Sequence, residues 1–162
     1  MPFPQVSATN LQGRRFTLPA DLAGERNLLL IAFWQEQQRD IDTWLPFVKR
    51  LVQEQPGLAY YELPTIDRSN PAFRWWLDTV MRLGIPDRQA RATTITLYLN
   101  KQAFRRELGL KSEDRIYILL VDRQGEILWR SEGMYSEEQG AALRRRLAEE
   151  QRPPDVDESS LP

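Results

Sequence analysis

The feature of the sequence that most constrains the fold is a strand-length apolar run at residues 27–34, NLLLIAFW, with no polar residue after its first position. Such a strand has no face for solvent, so the run is typical of a central strand covered on both faces of its sheet. From Ile41 apolar residues recur every three or four positions, which predicts a helix that ends by Pro56 and Gly57. A buried strand that leads into an amphipathic helix indicates an α/β domain.

The rest of the chain alternates between strand and helix patterns, in the order hairpin, strand, helix, strand, helix, strand, helix, two antiparallel strands, helix. The predicted positions are residues 6–18, 27–34, 41–55, 58–63, 70–83, 93–99, 100–108, 115–130 and 136 onward. Strands that alternate with helices imply parallel neighbours and helices on both faces of the sheet. The domain is expected to span residues 1–150. Residues 151–162 are rich in proline, serine and acidic residues, which predicts a disordered tail.

The composition limits the chemistry that the chain can perform. Among its 162 residues there is no cysteine and no histidine. The first absence excludes disulfides and thiolate nucleophiles, and the second removes the commonest general base and transition-metal ligand. The 22 Lys and Arg nearly balance the 23 Asp and Glu, so no overall field favours nucleic acid. We therefore expect a protein that is not an enzyme, holds no cofactor or metal, and binds no nucleic acid.

The sequence contains no targeting or membrane-spanning pattern. It has no apolar segment of about 20 residues that could span a bilayer, and residues 1–4 lack the basic start and apolar centre of a signal peptide. We expect a soluble cytoplasmic protein, with peripheral association at a membrane as an alternative. Whether a leader was removed before residue 1 stays open at this point.

Three segments in order resemble the redoxin branch of the thioredoxin superfamily, over roughly residues 5–148. Residues 15–19, RFTLP, are similar to the family's opening hairpin, and residues 30–34, LIAFW, to its strand ending in Phe-Trp. Residues 121–127, VDRQGEI, are similar to its Ile-Asp-x-x-Gly-x-Ile hairpin. The resemblance implies a thioredoxin-like three-layer sandwich with a central mixed β-sheet, an N-terminal β-hairpin and a redoxin-type extra strand and helix.

The family's active loop continues from Phe-Trp through Ala-x-x-Cys-x-x-Cys to a proline five residues after the second cysteine. Counted from Trp34, the cysteine positions fall on Gln38 and Ile41, the proline falls on Pro46, and the family's cis-proline falls on Ile116. Thiol exchange needs a thiolate and a second sulfur to resolve it. The resemblance therefore implies a vestigial redox loop, formed by Trp34, Gln38, Ile41 and Ile116, that has no thiol chemistry.

Within the superfamily, the second half of the chain is most similar to a cysteine-poor group, the assembly factors of the membrane sector of the F-type ATP synthase. The similar features are Ile85-Pro86, a basic stretch to Arg91, and the segment LVDRQGEILW at residues 120–129 followed by Gly133. This resemblance implies an assembly factor or chaperone for a membrane complex such as ATP synthase, with a subunit of that complex as its protein partner.

A candidate protein-binding surface lies on the predicted helix at residues 70–83. On a helical wheel Trp75 falls on the polar face, and Trp beside Arg is the composition of interface hot spots. The alternatives are that a neighbouring loop covers Trp75 and that the arginines pair with nearby aspartates on a solvated face. The predicted partner-binding residues are Trp75, Arg74, Arg82, Arg88 and Arg91.

Two other functions remain as alternatives. The first is an enzyme with non-thiol chemistry in the former active-site crevice, using Glu36 or Asp40 as acid or base; deep burial that raised the pKa of either would favour it. The second is a subunit that only completes an oligomer, since the sequence leaves the oligomeric state open. The carboxylates of Glu36, Asp40 and Asp42 crowd the loop, but without histidine they do not predict a metal site.

Overall fold

The computed structural model describes residues 2–10, 12–67 and 92–151, and the elements are numbered within these ranges. The strands are β1 (Val6–Asn10), β2 (Arg15–Leu18), β3 (Arg26–Ala32), β4 (Leu58–Asp67), β5 (Ile95–Leu99), β6 (Tyr117–Asp122) and β7 (Ile127–Glu132). The helices are α1 (Gln38–Glu54), α2 (Lys101–Leu108) and α3 (Glu137–Gln151), and a 3₁₀ turn at Gln35–Gln37 precedes α1. The expected helix at residues 70–83 and residues 152–162 of the expected tail lie outside the described residues.

The strands form one mixed sheet in the order β2-β1-β5-β4-β3-β6-β7. Strand β4 runs parallel to β3 and β5, whereas the pairs β3–β6, β6–β7, β1–β2 and β1–β5 are antiparallel. The apolar run therefore lies inside the sheet, between β4 and β6, as its composition predicted. The N-terminal hairpin is β1–β2, and β5 lies between β1 and β4 in the sheet.

Side chains of β3 alternate between two apolar cores, one on each face of the sheet. Even-numbered residues from Leu28 pack with α1 and α3 in a cluster that includes the fully buried Trp44. Odd-numbered residues from Leu29 pack in a second cluster that includes Phe104 of α2. Because a strand turns successive side chains to opposite faces, an uninterrupted apolar run supplies both cores at once.

Two elements are longer than their sequence patterns indicate. Helix α1 begins at Gln38 and not at the predicted Ile41. The pattern missed residues 38–40 because they are polar and add no apolar periodicity. Strand β4 continues to Asp67, past the expected end at Leu63, because residues 65–67 pair with β5. In contrast, α2 matches the predicted range 100–108 to within one residue: Asn100 caps it by accepting a hydrogen bond from the Ala103 amide, and Gly109 ends it with φ 69°.

None of the helices in the described ranges is long and apolar enough to cross a membrane. Helix α3 includes Gln151, the first residue of the expected tail.

Candidate functional site

The predicted vestigial loop lies where β3 ends, beside the start of β6. Ile31 of β3 pairs with Tyr117 of β6, so Ile116 is next to the loop that carries Trp34. Parallel strands β4 and β5 also end at this edge. In open α/β sheets, ligands bind outside the carboxyl ends of parallel strands. The structure therefore brings all four residues of the predicted loop to the edge where a site is expected.

The two positions that match the family's cysteines have opposite environments. Ile41 is buried in the apolar cluster of α1, and Ile116, at the cis-proline position, is fully buried in the same cluster. Gln38 is partly exposed, and its Nε2 donates hydrogen bonds to Glu62 Oε1 and Asp42 Oδ1, each at 3.0 Å. One thiol position is therefore part of the core, and the other is part of a polar pair.

Glu62, the partner of Gln38, is a site residue that the sequence analysis missed. Its side chain is 8% exposed, on the face of β4 that packs under α1. Burial raises the pKa of Glu62, and the nearby charge of Asp42 adds to the rise; the hydrogen bond from Gln38 and the charge of Lys49 oppose it. A single acid within the apolar segment at residues 58–63 was the signal that could have identified it.

Gln37 is a second residue that the sequence analysis missed, and it holds the loop in place. Its side chain is buried, and Oε1 accepts hydrogen bonds from the amides of Phe33 at 2.8 Å and Trp34 at 3.3 Å. Its Nε2 donates to the carbonyl oxygen of Glu113 at 2.7 Å. Backbone amides that leave a sheet need new partners when they are buried, and Gln37 supplies them.

Lys101 completes the support of the loop from the side of α2. Only 6% of its surface is exposed, and its Nζ donates to the Phe33 carbonyl oxygen at 3.1 Å. The ammonium forms an ion pair with Glu113 Oε1 at 3.1 Å and lies 3.7 Å from the centroid of the Trp34 ring. The other carboxylate oxygen of Glu113 is 3.3 Å from Arg105. A buried ammonium is tolerated because it has an opposite charge and hydrogen-bond acceptors around it.

Two large apolar side chains of the described residues are exposed, and both lie at this edge. Trp34 is 52% exposed and Met134 is 57% exposed. Met134 follows Gly133, whose amide donates to the Ile116 carbonyl and whose carbonyl accepts from Trp44 Nε1. Because β6 alone separates β3 from β7, the two strand ends are about 10 Å apart. We call this edge of the sheet, with its exposed Trp34 and Met134, the Trp34–Met134 edge.

The carboxylates named for the enzymatic alternative are not deeply buried. Glu36 is exposed and Asp40 is partly exposed, whereas the buried carboxyl group near the loop belongs to Glu62. Within the described ranges, no three acidic side chains come together in a group that could hold a metal ion. If a carboxylate in this crevice performs acid–base chemistry, the geometry favours Glu62 for that role.

The other predicted surface lies outside the described residues and stays a prediction. Its members are Trp75, Arg74, Arg82, Arg88 and Arg91.

The mixed sheet, its helices and the loop at the end of β3 define a thioredoxin-like fold, which confirms the predicted fold class. No family model and no curated protein matches the sequence.

Solved structures do match the fold. Copper-bound ScoI of Arabidopsis thaliana is 15% identical over 92% of this chain and 99% of its own, with a TM-score of 0.60. BsSco, of the Sco family of cytochrome c oxidase assembly proteins, is 13% identical over 91% of this chain and 94% of its own, at 0.58. A pneumococcal exposed lipoprotein thioredoxin, from Streptococcus pneumoniae, is 14% identical over 90% of this chain and 99% of its own, at 0.56. Identities this low show similarity of fold and nothing about activity.

Proposed function

We propose that this chain is a non-catalytic thioredoxin-fold protein that acts by binding another protein through the Trp34–Met134 edge. The observation that carries the proposal is the state of Trp34, which is half exposed on a loop held by buried polar side chains. Closing the chain between β3 and α1 does not by itself require an exposed indole. The thiol positions beside it hold Gln38 and Ile41, which cannot exchange disulfides.

Preorganisation is what makes this edge suitable for binding. A partner that docks on a mobile loop must also order it, and that ordering lowers the affinity. Here the amide and carbonyl groups of Phe33 already have fixed partners in Gln37 and Lys101. Tryptophan is enriched among the residues that dominate interface energies, so the exposed Trp34 is suited to anchor such an interface.

The finer proposal is that the protein is an assembly factor or chaperone for a membrane complex such as ATP synthase, cytoplasmic or peripheral to the membrane. The sequence resemblance of the second half supports it. A fold shared with BsSco, described as belonging to a family of assembly proteins, is compatible with it. We do not carry over the copper of the Arabidopsis protein, because this chain lacks the Cys and His that bind copper most readily.

Affinity capture from native membranes and from cytosol, with mass spectrometry of the captured proteins, tests the proposal. Trp34→Ala and Met134→Ala should each reduce recovery of the partner by about tenfold or more, the loss expected for a central anchor residue. Arg123→Ala is the matched control, because this exposed residue lies in the β6–β7 turn at the opposite edge of the sheet. Full recovery of the partner by Trp34→Ala would contradict the proposal.

The same capture experiment compares the second predicted surface. A Trp75→Ala, Arg82→Glu double variant should lose the partner if that surface also makes contact. Full recovery with the double variant and loss with Trp34→Ala would assign the contact to the Trp34–Met134 edge. The reverse result would assign it to the surface around Trp75.

A second candidate function is the enzyme with non-thiol chemistry, and Glu62 is the observation that favours it. A carboxyl group whose pKa is raised by burial is suited to proton transfer nearer neutral pH. Glu62→Gln keeps the shape and removes the acid. Under the binding proposal, this variant should capture the partner and support assembly of the membrane complex as well as the unmodified protein does. Full capture without assembly would favour the enzymatic alternative.

A further inference from the structure

We propose that Lys101 makes Trp34 a one-faced platform, which accepts an uncharged proline or aromatic ring of the partner and rejects a cationic side chain. The inference rests on the proposed function, in which the partner docks at Trp34. It goes further by stating the chemistry of the partner residue that stacks there.

The geometry leaves one face of the indole for the partner. The Lys101 ammonium lies 3.7 Å from the ring centroid, which is contact distance for a cation on an aromatic face. Lys101 cannot easily withdraw, because its ammonium also bonds to the Phe33 carbonyl and to Glu113. Trp34 is nevertheless 52% exposed, so its free surface lies on the opposite face and along the ring edge.

The charges around the ring determine what the free face can bind. A cation stacked there at a similar height would stand roughly 7 Å from the Lys101 ammonium, twice the observed 3.7 Å and less than a Debye length at physiological salt. Glu113 does not cancel this repulsion, because it is shared between Lys101 and Arg105. The group therefore carries two positive charges and one negative charge. One aromatic face already holds a cation, and the other face is a poor site for a second.

Uncharged rings do not meet this penalty. Aromatic side chains stack on aromatic faces, and proline-containing segments dock on exposed aromatic residues because their extended conformation is already fixed. The partner is therefore expected to offer an extended segment with a proline or aromatic residue at Trp34, and to have its basic residues elsewhere.

Peptide titrations followed by NMR test this discrimination. The probes are two five-residue peptides of alanine, one with a central proline and one with a central lysine. The readout is the NMR signal of the Trp34 indole N–H. This signal is assigned by its disappearance in the Trp34→Phe variant. In the unmodified protein the proline peptide should shift this signal saturably, and the lysine peptide should bind about tenfold more weakly, as expected when charge repulsion exceeds the cation–π attraction.

The decisive variant is Lys101→Met, which keeps the length of the side chain and removes its charge. With this variant the lysine peptide should bind at least as tightly as the proline peptide, which is a gain of binding. Loss of the fold would not produce such a gain. Lys101→Arg should retain the original discrimination, and Lys111→Met, which removes an exposed lysine near β6, should change nothing.

Three results would overturn the proposal: equal binding of both peptides by the unmodified protein, absence of any shift at Trp34 with the proline peptide, and no gain for the lysine peptide with Lys101→Met. These results leave the proposed function standing if Trp34→Ala still loses the captured partner. Capture that does not depend on Trp34 removes the proposed function, and this inference with it.

Discussion

Gln37 and Gln38 are neighbours in the sequence, yet their side chains bind partners on different sides of the sheet. Gln37 reaches toward the α2 side, where it bonds to the Phe33 amide and the Glu113 carbonyl in a group that contains Lys101. Gln38 reaches toward the α1 side, where it bonds to the buried carboxylate of Glu62. The first group pairs a buried ammonium with a partly exposed carboxylate, and the second places a neutral amide beside a buried carboxyl group.

The difference teaches which side fixes the loop and which side responds to pH. Paired charges and satisfied backbone groups are costly to break, so the α2 side determines the conformation of the loop that presents Trp34. A buried carboxyl group whose hydrogen-bond partner is a neutral amide is costly to ionise. The contribution of the α1 side to the stability of the fold therefore changes when Glu62 titrates. Three predictions test this contrast.

The largest effect is expected on the α2 side, for Gln37→Ala. This change leaves the buried Phe33 amide and the Glu113 carbonyl without their partner, and each such loss costs about 1 to 3 kcal/mol. The free energy of unfolding should therefore fall by about 3 kcal/mol in urea titrations. Gln35→Ala, two residues away on an exposed side chain, is the control and should change it by less than about 0.5 kcal/mol. Equal losses for the two variants would show that the Gln37 bonds do not hold the loop.

A smaller loss is expected for Lys101→Met. The variant removes the bond to the Phe33 carbonyl and the ion pair, but Glu113 keeps Arg105 and the methionine keeps most of the buried surface. We expect a loss of about 2 kcal/mol, below that of a broken buried pair, because Glu113 is about a quarter exposed. A double-mutant cycle with Glu113→Gln measures the pair directly. Coupling near zero would contradict the role given to this ion pair.

The smallest effect near neutral pH, and the most dependent on pH, is expected on the α1 side for Glu62→Gln. The pKa of Glu62 is raised in the folded protein, so the folded state binds this proton more tightly than the unfolded state does. Its stability contribution is present below the usual glutamate pKa and is lost as the pH rises through the raised folded value. The variant has no such proton. Its stability relative to the unmodified protein should therefore rise as the pH increases above the usual glutamate pKa.

Gln38→Ala sharpens the same measurement. Its hydrogen bond lowers the pKa of Glu62, so its removal should raise that pKa further and increase the loss of stability at high pH. The effect should vanish in a Glu62→Gln background. Unfolding curves for Glu62→Gln that run parallel to those of the unmodified protein at every pH would show that Glu62 does not titrate differently on folding.

Much of the fold could be predicted because its signals are local. The apolar run at residues 27–34 indicated a central strand, and the predicted range 100–108 matched α2 to within one residue. The predictions were less complete where polar residues occupy structured positions. Glu62 and Pro64 interrupt the apolar pattern of β4, which continues because β5 pairs with it beyond them.

The candidate site was predicted only in part. Counting from Trp34 predicted the thiol positions at Gln38 and Ile41, and both residues lie in the first turn of α1, just after the end of β3. Lys101 was missed because a lysine in the first turn of a helix is ordinarily solvated. Its burial depends on Trp34 and Glu113 closing over it.

By itself, the sequence determined the order of strands and helices within the described residues, the central place of β3 and the absence of thiol side chains, because periodicity, capping and residue type act over a few positions. Only the tertiary structure decided which polar groups meet around the loop. Phe33 and Lys101 are 68 positions apart, and Gln37 and Glu113 are 76 apart. Such pairs form when α2 and β6 pack against β3. No local sequence pattern predicts contacts between residues so far apart in the chain. The exposure of Trp34 above a buried ammonium follows from the same packing.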